Sequence, residues 1–365
     1  MPEPIALADP AAEYHALRDD IVAAAERVLA SGRYVLGAEG EALERELAQF
    51  VGVPYGVGVN SGTDAIHLAL VAAGVGPGDE VIVPAFTFFA TAEAVVHAGA
   101  TLVFADVDAH TFNLDPASLH AHIGPRTRAV IAVHLFGQVA ALDTIAPLCE
   151  AHHLTLVEDC AQAIGAQRDG RHAGSVGAFG CFSFYPTKNL SAAGDAGIVT
   201  CRSAEHAEQL RMLRHHGSRE PHVHSQVGCN SRLDEIQAAI LRVKLPHLER
   251  LTCARERIAS TYRERLAHTR VQLPFAMERG RHVWHQFTIQ SERRDAIRRA
   301  LADDMIASGL FYTTPLYRQP ALAHLATSPL PVAERLASRV LSLPMHPFLS
   351  DQAIERVVAA VQRSA

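Results

Sequence analysis

The stretch Ser183-Phe184-Tyr185-Pro186-Thr187-Lys188-Asn189-Leu190 decides how the rest of the chain is organised. It reads as a short aromatic strand that runs into a proline and then presents one lysine. The residue before a proline is pushed out of the α region, so Tyr185 is extended and the chain turns just after it. Gly194-Asp195-Ala196-Gly197 is a turn signal, and Ile198-Val199-Thr200-Cys201 reads as a strand. Lys188 therefore sits on a constrained loop inside a largely apolar region. A lone lysine is ordinarily a solvated surface charge. In apolar surroundings it loses basicity by desolvation, and the neutral amine is the form that attacks a carbonyl. Such a lysine suits pyridoxal phosphate, which also needs a phosphate cradle and an acid facing its pyridine nitrogen.

Both occur upstream. Asn60-Ser61-Gly62-Thr63-Asp64-Ala65 lies between a buried strand, Tyr55 to Val59, and an apolar helix. The first amides of a helix have no internal partner, and its dipole is positive there. Gly62 lets the backbone approach an anion closely, which gives a phosphate site of the helix-terminus kind. The same residues also describe an ordinary N-cap. Glu158-Asp159-Cys160-Ala161-Gln162 leaves the end of another apolar strand. A carboxylate there is costly unless partnered, and Asp159 is placed to pair with a protonated pyridine nitrogen. The alternative is a helix cap with a solvated charge. Gln162, about one turn on, can reach a ring substituent. In Phe86-Thr87-Phe88-Phe89, an exposed aromatic would cover a flat heterocycle, whereas Phe86 and Phe89 read as core.

The 365 residues are 48% hydrophobic and 20% charged, which gives ample core and too little charge for disorder. The net charge of −6 argues against a nucleic-acid binder. No apolar run reaches the length of a membrane span, and Met1-Pro2-Glu3-Pro4 lacks the basic start of a signal peptide. A cytoplasmic protein is expected. The six cysteines show no CxxC pair and read as buried thiols; no metal site is expected among the 21 histidines, His222-Val223-His224 included.

In order, helices are expected over Ala12 to Leu29 and Glu39 to Phe50. Strands and helices then alternate: strand 81–84, strand 101–107, helix 115–123, strand 129–135, helix 142–152 and strand 154–157. Near-continuous apolar strands in a βα rhythm indicate a parallel sheet covered on both faces. Ligands bind such sheets outside the carboxyl ends of the strands. After the lysine loop come a helix over Glu205 to His215 and an irregular stretch from Pro221 to Gly228. Ser231 then caps an amphipathic helix, and a long charged helix runs from Leu245 to Leu266. The remainder is mixed, with a strand over Val283 to Gln290 and helices over 294–308, 332–340 and 351–361. The domain boundary is expected near 247/248.

These pieces, in this order, resemble the sugar aminotransferases of the DegT/DnrJ/EryC1/StrS family. The matching stretches are NSGTDAIHLAL (60–70), VGPGDEVIVPAFTFFATAEAV (75–95), EDCAQAIGA (158–166), FSFYPTKNLSAAGDAGIV (182–199), GCNSRLDEIQAAILRVKL (228–245) and LSLPMHPFLS (341–350). The resemblance implies a fold-type I architecture: an α/β large domain, residues 1–247, with a mostly parallel seven-stranded sheet, and a smaller α/β domain, 248–365. It implies that Lys188 carries the cofactor, Asp159 faces the pyridine nitrogen and Gln162 lies near the ring hydroxyl. Gly62, Thr63 and Ser183 would hold the phosphate, and Phe88 would stack on the ring. Asn230 and Arg232 match residues given to the neighbouring subunit's site, Asn230 to the phosphate and Arg232 near the bound amino donor or sugar. A homodimer with two shared sites follows.

The expected activity is transfer of an amino group from L-glutamate to a nucleotide-linked ketosugar. HLFGQ (134–138), FNLDP (112–116) and the lysine loop are most similar to enzymes that aminate a 3-keto sugar; a 4-keto sugar is the alternative. Lys188 speaks against the family's dehydratases, which carry histidine there, and against a non-catalytic binder. One departure concerns the substrate. Relatives carry a Thr-x-x-His-Tyr-Pro-like segment, whereas Gly309-Leu310-Phe311-Tyr312-Thr313-Thr314-Pro315 reaches Gln319-Pro320-Ala321 by a shortened loop without that histidine.

Overall fold

The structure, a computed structural model, describes residues 3–220, 222–325 and 328–365. Met1 and Pro2 of the N-terminal reading, and Pro221 of the irregular stretch, lie outside the described residues. Seven strands build the main sheet: β1 (Tyr55–Val59), β2 (Glu80–Pro84), β3 (Thr101–Ala105), β4 (Thr127–Val133), β5 (Thr155–Asp159), β6 (Phe179–Ser183) and β7 (Gly197–Cys201). Their order across the sheet is β1-β7-β6-β5-β4-β2-β3. Every pair is parallel except those of β7, which runs antiparallel to β1 and β6. Two reversals in a row restore the direction, so β1, β2, β4, β5 and β6 all point their carboxyl ends to the same edge.

Side chains alternate across each strand, so a sheet buried on both faces needs apolar residues in unbroken runs. Val57, Val59, Val81, Val83, Ile131 and Val133 enter one core, while Ile82, Val130 and Ala132 enter the other. The covering helices are α1 (Pro10–Ala16), α2 (Arg18–Ser31), α3 (Ala38–Val51), α4 (Gly62–Ala72), α5 (Ala90–His97), α6 (Pro116–His122), α7 (Leu142–Ala151), α8 (Ala204–Leu213) and α9 (Glu235–Lys244). The C-terminal part adds α10 (Leu248–Leu266), β8 (Phe287–Gln290), α11 (Arg294–Asp303), α12 (Pro331–Arg339), β9 (Val340–Leu343) and α13 (Asp351–Ser364). β8 and β9 pair antiparallel. Ile258, Tyr262, Trp284, Phe287, Leu343 and Val357 form a third core there.

Several local expectations are corrected. The single helix over 12–29 is two, because Leu17 leaves helical geometry at φ −125°, ψ 18°. Ser231 is not a helix cap. Its hydroxyl donates to Asp64 at 2.6 Å and accepts the Asn60 N–H, and α9 begins only at Glu235. The helix expected from Leu245 starts at Leu248, after a tight turn containing Pro246. The strand over 283–290 shrinks to Phe287–Gln290, because Trp284 is left-handed at φ 49°. The helix expected to reach 308 stops at Asp303, just ahead of left-handed Met305. Val223–His224, inside the stretch expected to be irregular, pairs antiparallel with Ser218–Glu220 just ahead of it.

Glu235 shows how distant motifs lock together. Its carboxylate accepts the N–H groups of Gly37, Glu39 and Gly40, which are free donors at the start of α3. A side chain at Gly37 or Gly40 would collide with it at 2.7 Å. Among the described residues, no helix is long and apolar enough to cross a membrane.

Candidate active site

The shared carboxyl edge gathers the loops after β1, β2, β5 and β6 around one cavity of ≈ 400 Å³. Seven of the nine residues singled out in the sequence line it: Gly62, Thr63, Phe88, Asp159, Gln162, Ser183 and Lys188. Asn230 and Arg232 do not. Asn230 is exposed and its backbone pairs with that of His215, and Arg232 lies 3.4 Å from the His215 ring.

Ser61 caps α4 by accepting the Asp64 N–H at 3.1 Å. The amides of Gly62 and Thr63, in the first turn, have no helical partner. A Cβ on Gly62 would lie 2.6 Å from the Ser183 Cβ, so only glycine lets the helix start close against the end of β6. Three donor positions thus converge on one corner. Phe88 is 57% exposed at the cavity wall, unlike Phe86 at 1%.

Asp159 is 6% exposed and accepts the Ala161 N–H at 3.1 Å and the Thr91 hydroxyl at 2.9 Å. It is not the solvated cap of the alternative reading. Burial raises its pKa against those two bonds and the attraction of Lys188. The carboxylate thus lacks a hydrogen-bonded cation among the described residues. On the lysine loop, the Lys188 N–H donates back to the Tyr185 carbonyl at 2.8 Å. Burial lowers the Lys188 pKa to about 8, although Asp159 pulls it up. An amine near that value gives and takes a proton close to neutrality.

Gln162 has both ends engaged: Oε1 accepts the Phe136 N–H at 2.7 Å and Nε2 donates to the Tyr312 hydroxyl at 3.3 Å. One Nε2 hydrogen remains for a ligand. Sequence reasoning missed Thr91, His285, Phe311 and Tyr312 as site residues. Thr91 is the second residue of α5, which follows β2, and Tyr312 enters from the 309–315 loop; only the third dimension brings them together.

His134, Glu158 and Cys160 form a second buried group whose ligand atoms converge within 4.8 Å. The lone pairs of His134 and Glu158 are already engaged. His134 Nδ1 accepts the Ala140 N–H, which leaves the proton on Nε2 for Glu158 at 2.8 Å. Glu158 also accepts from Gly174, Val176 and Gly177 at 2.6–2.8 Å. A cation would displace these bonds.

The DegT/DnrJ/EryC1/StrS aminotransferase family profile matches residues 15–362. The chain belongs to that family. It is 49% identical over 360 residues to the UDP-N-acetyl-3-dehydro-α-D-glucosamine 3-aminotransferase of Acidithiobacillus ferrooxidans, covering 99% of this chain and 98% of the relative. It is 44% identical over 357 residues to the dTDP-3-amino-3,4,6-trideoxy-α-D-glucose transaminase of Streptomyces venezuelae, 97% of this chain and 94% of that one. The fold superposes on S. venezuelae DesV, solved in complex with a ketimine intermediate, with a TM-score of 0.97 at 44% identity, over 99% of this chain and 98% of that chain. This family member is a sugar aminotransferase that uses pyridoxal phosphate. The cavity fits that group: amide donors at a helix start for a phosphate, a buried carboxylate short of a cation, an aromatic face and a lysine of lowered basicity.

Proposed function

We propose that the enzyme moves an amino group from L-glutamate to the C3 keto carbon of a nucleotide-linked hexose. The observation that carries this reading is the pairing, in one cavity, of a lysine near pKa 8 with a buried carboxylate short of a cation. The two relatives, named as 3-amino-sugar enzymes, support C3 over C4.

Bound pyridoxal phosphate supplies an electron sink for the bond broken at the substrate carbon. The chain's own groups do the rest. Gly62 and Thr63 amides and the Thr63 and Ser183 hydroxyls take the phosphate at the positive end of α4. Phe88 covers one ring face. Asp159 stays ionised against the pyridine nitrogen, whose positive charge offsets the cost of burying the carboxylate. Gln162 directs its remaining Nε2 hydrogen at the ring hydroxyl. Lys188 Nζ would hold the cofactor and would carry the proton to and from the reacting carbon.

The working form in this reading is a cytoplasmic homodimer in which Asn230 and Arg232 serve the partner's cavity. Its support is that both lie outside their own chain's cavity, beside a surface with Val223 57% and Val227 94% exposed. The division at 247/248 belongs to the same reading and draws on the separate core around Tyr262 and Phe287.

The test is stoichiometric. With pyridoxal phosphate and L-glutamate, UDP- or dTDP-linked 3-keto sugars should yield one 2-oxoglutarate per amino sugar. Ammonia and a deoxygenated sugar would indicate a dehydratase. No turnover with any ketosugar would favour a binder that has lost catalysis.

A further inference from the structure

His285 is buried at 5% exposure, yet it lines the cavity beside Lys188. Its protonation is fixed by geometry. Asn189 Nδ2 donates to the Val283 carbonyl at 2.8 Å, so Asn189 turns its carbonyl Oδ1 to His285 Nδ1 at 3.2 Å. An oxygen that only accepts requires Nδ1 to carry the hydrogen, and a neutral imidazole then bears its lone pair on Nε2. Burial, Lys188, Arg255 and His282 all disfavour a second proton. No side chain among the described residues donates to that Nε2. Asn189 is next to Lys188 in the chain, so the loop that aims the amine also aims this lone pair.

We propose that His285 Nε2 accepts a hydrogen bond from a sugar hydroxyl flanking the carbon that receives nitrogen, and so determines specificity for the second substrate. The assignment rests on the aminotransfer reading above. A lone pair selects donors. Sugar hydroxyls donate, whereas the carboxylates of an amino acid only accept, and its one donor, the ammonium, is the group given up in the transfer. The site thereby distinguishes its two substrates without a charge.

The probes are a dTDP- or UDP-linked 3-amino-hexose and its 2-deoxy and 4-deoxy counterparts, titrated by calorimetry into enzyme loaded with pyridoxal phosphate. Wild type should bind one deoxy ligand about tenfold more weakly than the parent, the scale of one lost hydrogen bond. In His285→Phe that difference should vanish, and His285→Gln, which retains an acceptor, should restore part of it. The sugar half-reaction should lose more in kcat/KM than the glutamate half-reaction. Equal binding of all three ligands by wild type overturns the proposal even if no variant folds. So does His285→Phe that still discriminates, or equal slowing of both half-reactions, which would make His285 a support for the lysine loop alone. If wild type neither binds the parent ligands nor aminates any nucleotide-linked ketosugar, the aminotransfer reading fails first and this proposal with it.

Discussion

Glu158 and Asp159 are neighbours at the end of β5, and the two faces of the sheet treat them in opposite ways. Glu158 enters a closed polar nest at 0% exposure, where it also accepts the Val176 N–H; burial would raise its pKa, but His134 and the Gly177 and Gly174 amides outweigh that and lower it. Asp159 faces the cavity with two donors only, and burial wins. A buried carboxylate whose lone pairs are filled holds the fold together. One left short of positive charge is prepared for a cationic ligand.

That contrast breaks first under isosteric amides. Asp159→Asn should fold and still take up pyridoxal phosphate, yet lose about 100-fold or more of its turnover, since a preorganised charge at the reacting ring is removed. Wild-type turnover in that variant would make Asp159 a structural residue like its neighbour. Glu158→Gln should do the reverse: it turns an NH2 group on donors that need an acceptor. Unfolding should become easier by about 3 kcal/mol, measured by denaturant titration. Intact stability would mean that the nest is not needed.

The two carboxyls also differ in the sign of their pH dependence. Glu158, lowered in the fold, stabilises above its unfolded pKa, and that contribution fades as pH falls through the folded value. Asp159, raised in the fold, does the opposite: stability present below its unfolded pKa is lost as pH rises through the folded value. Cofactor-free Asp159→Asn should therefore melt at or above wild type near pH 7, where wild type still buries the charge. A lower melting point there would contradict the raised pKa.

A smaller effect sharpens the account of Lys188. In the cofactor-free protein, its reaction with an amine-directed label should rise with pH about a midpoint near 8. Asp159→Asn should move that midpoint down, because Asp159 favours the charged amine. An unchanged midpoint would separate the two groups.

The sequence made one of these neighbours legible and not the other. Asp159 was readable because a carboxylate at the end of an apolar strand, with a lysine loop and a helix-start cradle elsewhere, makes chemical sense as a set. Glu158 is just as polar, but its partners lie at 134 and 174–177 and meet only once β4, β5 and the turn before β6 are packed. The α/β alternation was legible for the same reason as the lysine loop: it is written in local period and turn residues. Ser231 was misread as a cap because its partner Asp64 is 167 residues away. The break at Leu17 and the left-handed Trp284 carry no glycine or proline to announce them. His285 looked like one more strand residue, since only Asn189 gives its ring a direction.

Everything proposed for the cavity depends on which amine holds the cofactor. The direct measurement is to load the protein with pyridoxal phosphate, reduce it with borohydride and find the modified peptide by mass spectrometry. The account predicts one phosphopyridoxyl group, on Lys188, and none in Lys188→Ala that remains folded by circular dichroism. Modification at buried Lys244, the chain's one other lysine, or equal labelling of Lys188→Ala would contradict it.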